Sequence, residues 1–324
     1  MRTVLFCLFL LCVSTPSAEA AYTLRNGKLV NAKYVVEFPL EKHFTLGLEA
    51  LKEKNFDEAV RQFTIITMHF PEAAKTKEAY YFLGIAFYEL SDMQWANSNF
   101  STYLEVEKNP AFLLDTFTYK LSIANAYKNG AKKHLLNQQF MPQWLSGVED
   151  ALTIYDEVIQ TLSSNEIAKT AFLHKASLLT QEQRFKEGLE TYERLIKQFP
   201  HTSEALQAHL LIGETLLTQS ILEPQNPDIL PLAKQNLKKT KAQFPVADKE
   251  REELVLLLQK MKEHYAQGLF ETGKLYERKS LPKASLLYYT QVIKQFPDTL
   301  IAEKCKEKLE LLQEKNETTS TLSS

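Results

Sequence analysis

From His43 onward the apolar positions recur with the period of an α-helix, and the first helix is apolar along two of its sides. Leu46, Gly47 and Ala50 form one stripe, small enough in two of three places to let a partner helix come close. Phe44, Leu48 and Leu51 form another. The arrangement returns 37 positions on, with Leu83, Gly84 and Phe87 on the packing stripe and Tyr81, Ile85 and Tyr88 on the second. A helix apolar on two sides must bury both or present one. The spacing predicts helix pairs over about 43–70 and 77–107. A third begins over 113–127 and resumes over 148–162 after an insertion, 130–147, that holds Gly130, Phe140, Pro142, Trp144 and Gly147. Further pairs follow over about 167–199, 203–217 with 231–244, and 250–296, the last with a long first helix and a second entered through Pro282.

The small and aromatic positions keep a fixed ruler. Counted from Gly47, Ala59, Phe63 and Pro71 lie at offsets of 12, 16 and 24. Laid on Gly84 the ruler meets Ala96 and Phe100; laid on Gly273 it meets Ser285, Tyr289 and Pro297. Phe-Pro closes four units, at Phe70-Pro71, Phe199-Pro200, Phe244-Pro245 and Phe296-Pro297, where proline cannot continue the helix and the aromatic before it can pack inward. This pattern resembles the tetratricopeptide repeat. The resemblance implies an all-α helical solenoid of about five to six helix pairs with insertions, whose repeats bury their cores by stacking on neighbours and expose a curved surface.

The ends read differently. Residues 1–20 run from Met1-Arg2-Thr3 through an uncharged stretch, Val4 to Val13, to Ala18-Glu19-Ala20, the layout of a signal peptide cleaved after Ala20. The apolar run is too short to be a membrane span. Neither Cys7 nor Cys12 is preceded by the small residues of a lipoprotein site, and cleavage leaves Cys305 as the one thiol, expected as a half-buried packing residue. Residues 21–42 form an N-terminal arm: Asn26-Gly27 is a hairpin turn signal, and Tyr34 to Phe38 is β-prone up to Pro39. N-terminal repeats occupy 43–165. C-terminal repeats and a capping helix over 300–313 occupy 166–315, and the polar stretch 316–324 is expected to be disordered.

Charge and chemistry narrow the function. A net charge of -2 over 324 residues argues against a nucleic-acid binder, and the cluster Lys234, Lys238, Lys239 and Lys241 reads as a solvated helix face. Nine glycines leave little room for a phosphate loop, and the seven histidines have no metal-ligand spacing. An enzyme, a metal site and a cofactor are not expected. What remains is surface. The second stripes, Phe44, Leu48 and Leu51 with Tyr81, Ile85 and Tyr88, form a candidate partner- or substrate-binding groove in the N-terminal repeats; the matching positions of the third, Asn125 and Lys128, are polar. Phe140 and Trp144 make the insertion a candidate partner loop.

The N-terminal run Phe44-Thr45-Leu46-Gly47-Leu48-Glu49-Ala50-Leu51, the Phe-Pro repeat ends, the export signal and the expanded third repeat together resemble the BamD family of outer-membrane-protein assembly factors, over about residues 43–297. The resemblance implies a periplasmic scaffold at the outer membrane that binds the central β-barrel assembly protein and unfolded outer-membrane proteins, with substrate engaged by the N-terminal repeats. An alternative resemblance is to the CpoB family, periplasmic coordinators of envelope and cell-wall machinery.

Overall fold

The computed structural model describes residues 22–25, 28–135, 141–224 and 226–321. The expected signal peptide and Phe140 lie outside the described residues. Thirteen α-helices are described, and they form an all-α repeat fold of six helix pairs and a terminal helix. The chain divides into two compact units, 1–126 with 131–145, and 127–130 with 146–324. The division expected at 165–166 lies inside the second.

In the first unit, strands β1 (Tyr22–Arg25) and β2 (Lys28–Asn31) pair antiparallel with Arg25 opposite Lys28. The β-prone run after them does not extend this sheet. Ala32–Tyr34 is a 3-10 turn, the Phe38 N–H donates to His43 Nε2 at 3.2 Å, and α1 (Leu40–Lys52) starts three residues earlier than its periodicity suggests, directly after Pro39. The local donor and acceptor of a histidine and a helix start outcompete a third strand. Next come α2 (Phe56–His69), α3 (Ala74–Glu89), α4 (Met93–Val106) and α5 (Leu113–Lys128). Among the described residues of the insertion, β3 (Lys132–His134) pairs with β4 (Gln143–Ser146).

The second unit contains α6 (Val148–Thr161), α7 (Glu166–Gln181), α8 (Phe185–Gln198), α9 (Ser203–Leu222), α10 (Ile229–Gln243), α11 (Asp248–Arg278), α12 (Pro282–Gln295) and α13 (Leu300–Thr321). Two ends differ from expectation. α9 continues past Leu217 because no breaker precedes Pro224, and α13 runs through 316–321, expected as a disordered tail, because 300–321 holds neither glycine nor proline.

The ruler found in the sequence has a steric meaning. A Cβ on Gly47 would stand 2.7 Å from the Phe63 ring, one on Gly84 2.7 Å from Phe100, and one on Gly273 2.5 Å from Tyr289. Each glycine is the floor on which the aromatic sixteen residues later rests, so the two helices of a pair touch backbone to ring.

The Phe-Pro stops are equally regular. Phe70, Phe199, Phe244 and Phe296 all leave the helix with φ between -125 and -133 and ψ between 48 and 72. A residue before proline is barred from the helical region, and each still donates its own N–H four residues back, as Phe70 does to Ile66 at 2.9 Å.

Within pairs a second turn repeats. Lys54, Ser91, Gln183 and Ser280 have φ of 56 to 61, and the N–H that follows each reaches back five residues, as Asp92 does to Phe87 at 2.9 Å. Gly130 closes α5 the same way, with φ 100 and Ala131 N–H on the Ala126 carbonyl at 2.9 Å. The insertion therefore enters at the turn that elsewhere leads straight into the second helix of a pair.

Candidate functional site

The first helices of the N-terminal pairs rest on a continuous set of rings. Phe44 and Phe63 meet edge to face at 5.9 Å, Phe63 stacks on Phe82 at 5.6 Å, Tyr81 stacks on Phe112 at 4.3 Å and Phe100 on Tyr119 at 5.3 Å. Such contacts each add roughly 0.5–1.5 kcal/mol to the burial of the rings. Phe44 and Tyr81 are buried in this set, so they pack between repeats and do not line an open groove. Burial, with the Asp115 carboxylate nearby, pushes the Tyr81 hydroxyl up to about 12.

Leu48, Leu51, Ile85 and Tyr88 stay half-exposed, on α1 and α3. Tyr88 meets Tyr119 edge to face at 5.2 Å, which brings α5 into the same surface. Burial and the neighbouring Glu89 raise the Tyr119 pKa, so its phenol is neutral at ordinary pH. Phe82, Phe112 and Tyr119 were not singled out from the sequence. Phe82 adjoins Tyr81, and Tyr119 lies six residues before Asn125, so their contributions become visible only through contacts between helices.

The insertion is pinned by one histidine. His134 is buried; its N–H donates to Gln94 Oε1 at 2.9 Å, its Nδ1 lies 2.7 Å from the Met141 carbonyl and its Nε2 3.0 Å from Asp92 Oδ2. Asp92 is also the N-cap of α4, accepting from the Trp95 N–H. The Leu135 N–H closes the hairpin on the Pro142 carbonyl at 3.0 Å. All of β4 is exposed, with Trp144 at 72% and Leu145 at 41%. A tryptophan so far out of its own fold adds apolar surface beside a fixed backbone edge.

Other candidates resolve as structure. His209 is buried between α9 and α10, with Nδ1 2.6 Å from Asn236 Oδ1. Lys234, Lys238, Lys239 and Lys241 are solvated, as expected. Cys305 is fully buried rather than half-buried, and burial pushes its thiol up to about 11, which keeps it protonated and inert. Among the described residues no group of three histidine, cysteine, aspartate or glutamate side chains is arranged to hold a metal, and no helix is long and apolar enough to cross a membrane.

A fold of stacked helix pairs, a half-exposed aromatic face and no metal-ligand cluster among the described residues define a helical-repeat protein. More particularly, the chain carries tetratricopeptide repeats: residues 44–96 and 170–202 match families of that description, and no catalytic family is among the matches. No curated protein matches the chain. Similar solved structures include a TPR repeats protein of Bacteroides fragilis (10% identity, 84% of this chain and 98% of that one, TM-score 0.39) and a tetratricopeptide repeat protein of Parabacteroides merdae (11%, 85% and 98%, 0.37). PilF of Pseudomonas aeruginosa is also similar (13%, 83% and 97%, 0.31).

Proposed function

We propose that this chain is an exported repeat scaffold of the outer-membrane β-barrel assembly machinery, associated with the outer membrane from the periplasmic side. It binds unfolded outer-membrane proteins and the central assembly protein. The resemblance to the BamD family motivates the reading, and the observation that carries it is the half-exposed surface of Leu48, Leu51, Ile85, Tyr88 and Tyr119 on the first helices of three successive pairs. Amphipathic rings on rigid helices suit a face that is wet when empty and covered when occupied. Trp144 on the insertion supplies a second contact, suited to the assembly protein.

Crosslinking in whole envelopes followed by purification tests this. A β-barrel assembly protein should come down with the chain; recovery of inner-membrane or wall-synthesis proteins in its place would overturn the reading in favour of a CpoB-like coordinator.

A further inference from the structure

Eight glycines lie among the described residues, and seven have a structural reason to be there. Gly130 has a positive φ. Gly47, Gly84, Gly147, Gly188, Gly213 and Gly273 would each drive a Cβ into a neighbouring side chain. Gly268 has neither reason. It sits inside the 31-residue α11, where glycine weakens a helix relative to alanine, and a Cβ placed on it would meet nothing within 4 Å.

The open space in front of Gly268 is a cleft of ≈ 740 Å³ within the second unit, in the size range of ligand sites. Its three sides differ in chemistry. The end of α9 supplies Ile221 and the α9–α10 connection Pro224 and Pro227; α11 supplies Gly268 and Leu269; α12 supplies the carboxamides of Gln291 and Gln295. The connection is fastened to α11 by the Tyr265 hydroxyl, which donates to the Asn226 carbonyl at 2.9 Å. No lysine, arginine or aspartate is among the described residues lining the cleft. Its ionisable lining includes His264 and Glu271, and Glu271 Oε1 accepts from Gln267 at 2.8 Å and from Lys274 at 3.1 Å.

We infer that this cleft binds an extended, uncharged segment of a partner polypeptide, whose backbone passes over Gly268. Successive side chains of an extended segment point to opposite sides. One set would meet Ile221 of α9 and the prolines of the connection and the other the glutamines of α12, while the missing Cβ lets the peptide backbone approach the helix closely. An acidic segment would meet no lysine or arginine among the described residues lining the cleft, and a basic one would compete with Lys274 for Glu271. The inference is independent of the N-terminal face.

Titration calorimetry with capped heptapeptides in which valine or tyrosine alternates with threonine, against the same peptides carrying two lysines or two glutamates, tests it. The uncharged peptides should bind the full chain, and Gly268→Leu should weaken them at least tenfold. Gly268→Ala should raise the melting midpoint while weakening binding, since the helix gains and the cleft loses. Failure of every uncharged peptide to bind, wild-type affinity in Gly268→Leu, equal binding of the charged peptides, or a lowered midpoint in Gly268→Ala would each overturn the proposal.

Discussion

The N-terminal pairs and the pairs α7–α8 and α9–α10 use one repeat template and fill it with different matter. In the first unit the space between helices is taken by rings: Phe63 meets Phe82, Phe82 meets Phe112 and Phe112 meets Tyr103, while Tyr81 touches both Tyr103 and Phe100. In α7–α10 the buried positions include Ala168, Ala171, Ala176, Ala205 and Ala208 and several leucines, with the rings confined to Phe172, Phe185 and Tyr192 on α7 and α8, and α9 is tied to α10 by His209 and Asn236. Rings are stiff and large, so they fix spacing and leave partly covered edges at the surface. Alanines permit close helices and leave the available polar groups to join them. The same backbone plan thus yields an aromatic face at one end and, in the second unit, an amide-lined cleft.

The sharpest way to break this contrast is to overfill both cores. Gly84→Leu forces new atoms into the Phe100 ring, which cannot bend away, and should cost about 3 kcal/mol, the upper end of overpacking. Gly213→Leu meets the tips of Leu254 and Leu257, which can change rotamer, and should cost about 1 kcal/mol. Thermal melts of the two variants decide the point; equal losses would mean that the rings are no stiffer than the aliphatic packing.

A second test separates ring packing from ring display. Tyr88→Ala should weaken binding of a barrel-derived C-terminal peptide by about 2 kcal/mol, roughly 30-fold, with helical content unchanged. Tyr81→Ala should instead lower the melting temperature, because Tyr81 is inside the stack. If Tyr88→Ala binds like the wild type, the half-exposed face is packing surface alone.

The turns within pairs offer a smaller contrast. Ser91 holds a left-handed backbone at φ 61, so Ser91→Gly should be neutral or stabilising by up to about 1 kcal/mol. Gly130→Ala, at φ 100 where the insertion begins, should destabilise by about 1 kcal/mol or more. Chemical denaturation that finds the two changes moving stability in the same direction would remove the parallel between these turns.

The smallest effect concerns acid. Burial, with Lys128 nearby, lowers the pKa of His174 below its ordinary 6.5, so the unfolded chain takes up that proton first. Stability is therefore fully present above 6.5 and falls as pH drops through it toward the folded value. His174→Gln should flatten the pH dependence of the midpoint between pH 7 and 5; an unaltered slope would exclude His174 as its source.

Much of the repeat architecture could be read from single positions because each rule is local. Gly47 and Phe63 are sixteen residues apart, Phe-Pro acts on the residue before the proline, and Asn26-Gly27 lies between two strands that do pair. The half-exposed stripe of Leu48, Leu51, Ile85 and Tyr88 followed from periodicity, but that Phe44 and Tyr81 turn inward did not. Their fate depends on Phe82 and Phe112, which arrive from other helices, and a period says only that two residues share a side, not what covers it. Likewise nothing near residue 134 announces that a histidine will lock a hairpin onto Asp92, forty-two residues back. The Phe-Pro stops and the spacing within pairs were determined by sequence alone, since steric and hydrogen-bonding rules act over a few residues. Which apolar side stays open, where the insertion is held and what gathers around Gly268 were decided by the tertiary structure, because burial belongs to several segments at once.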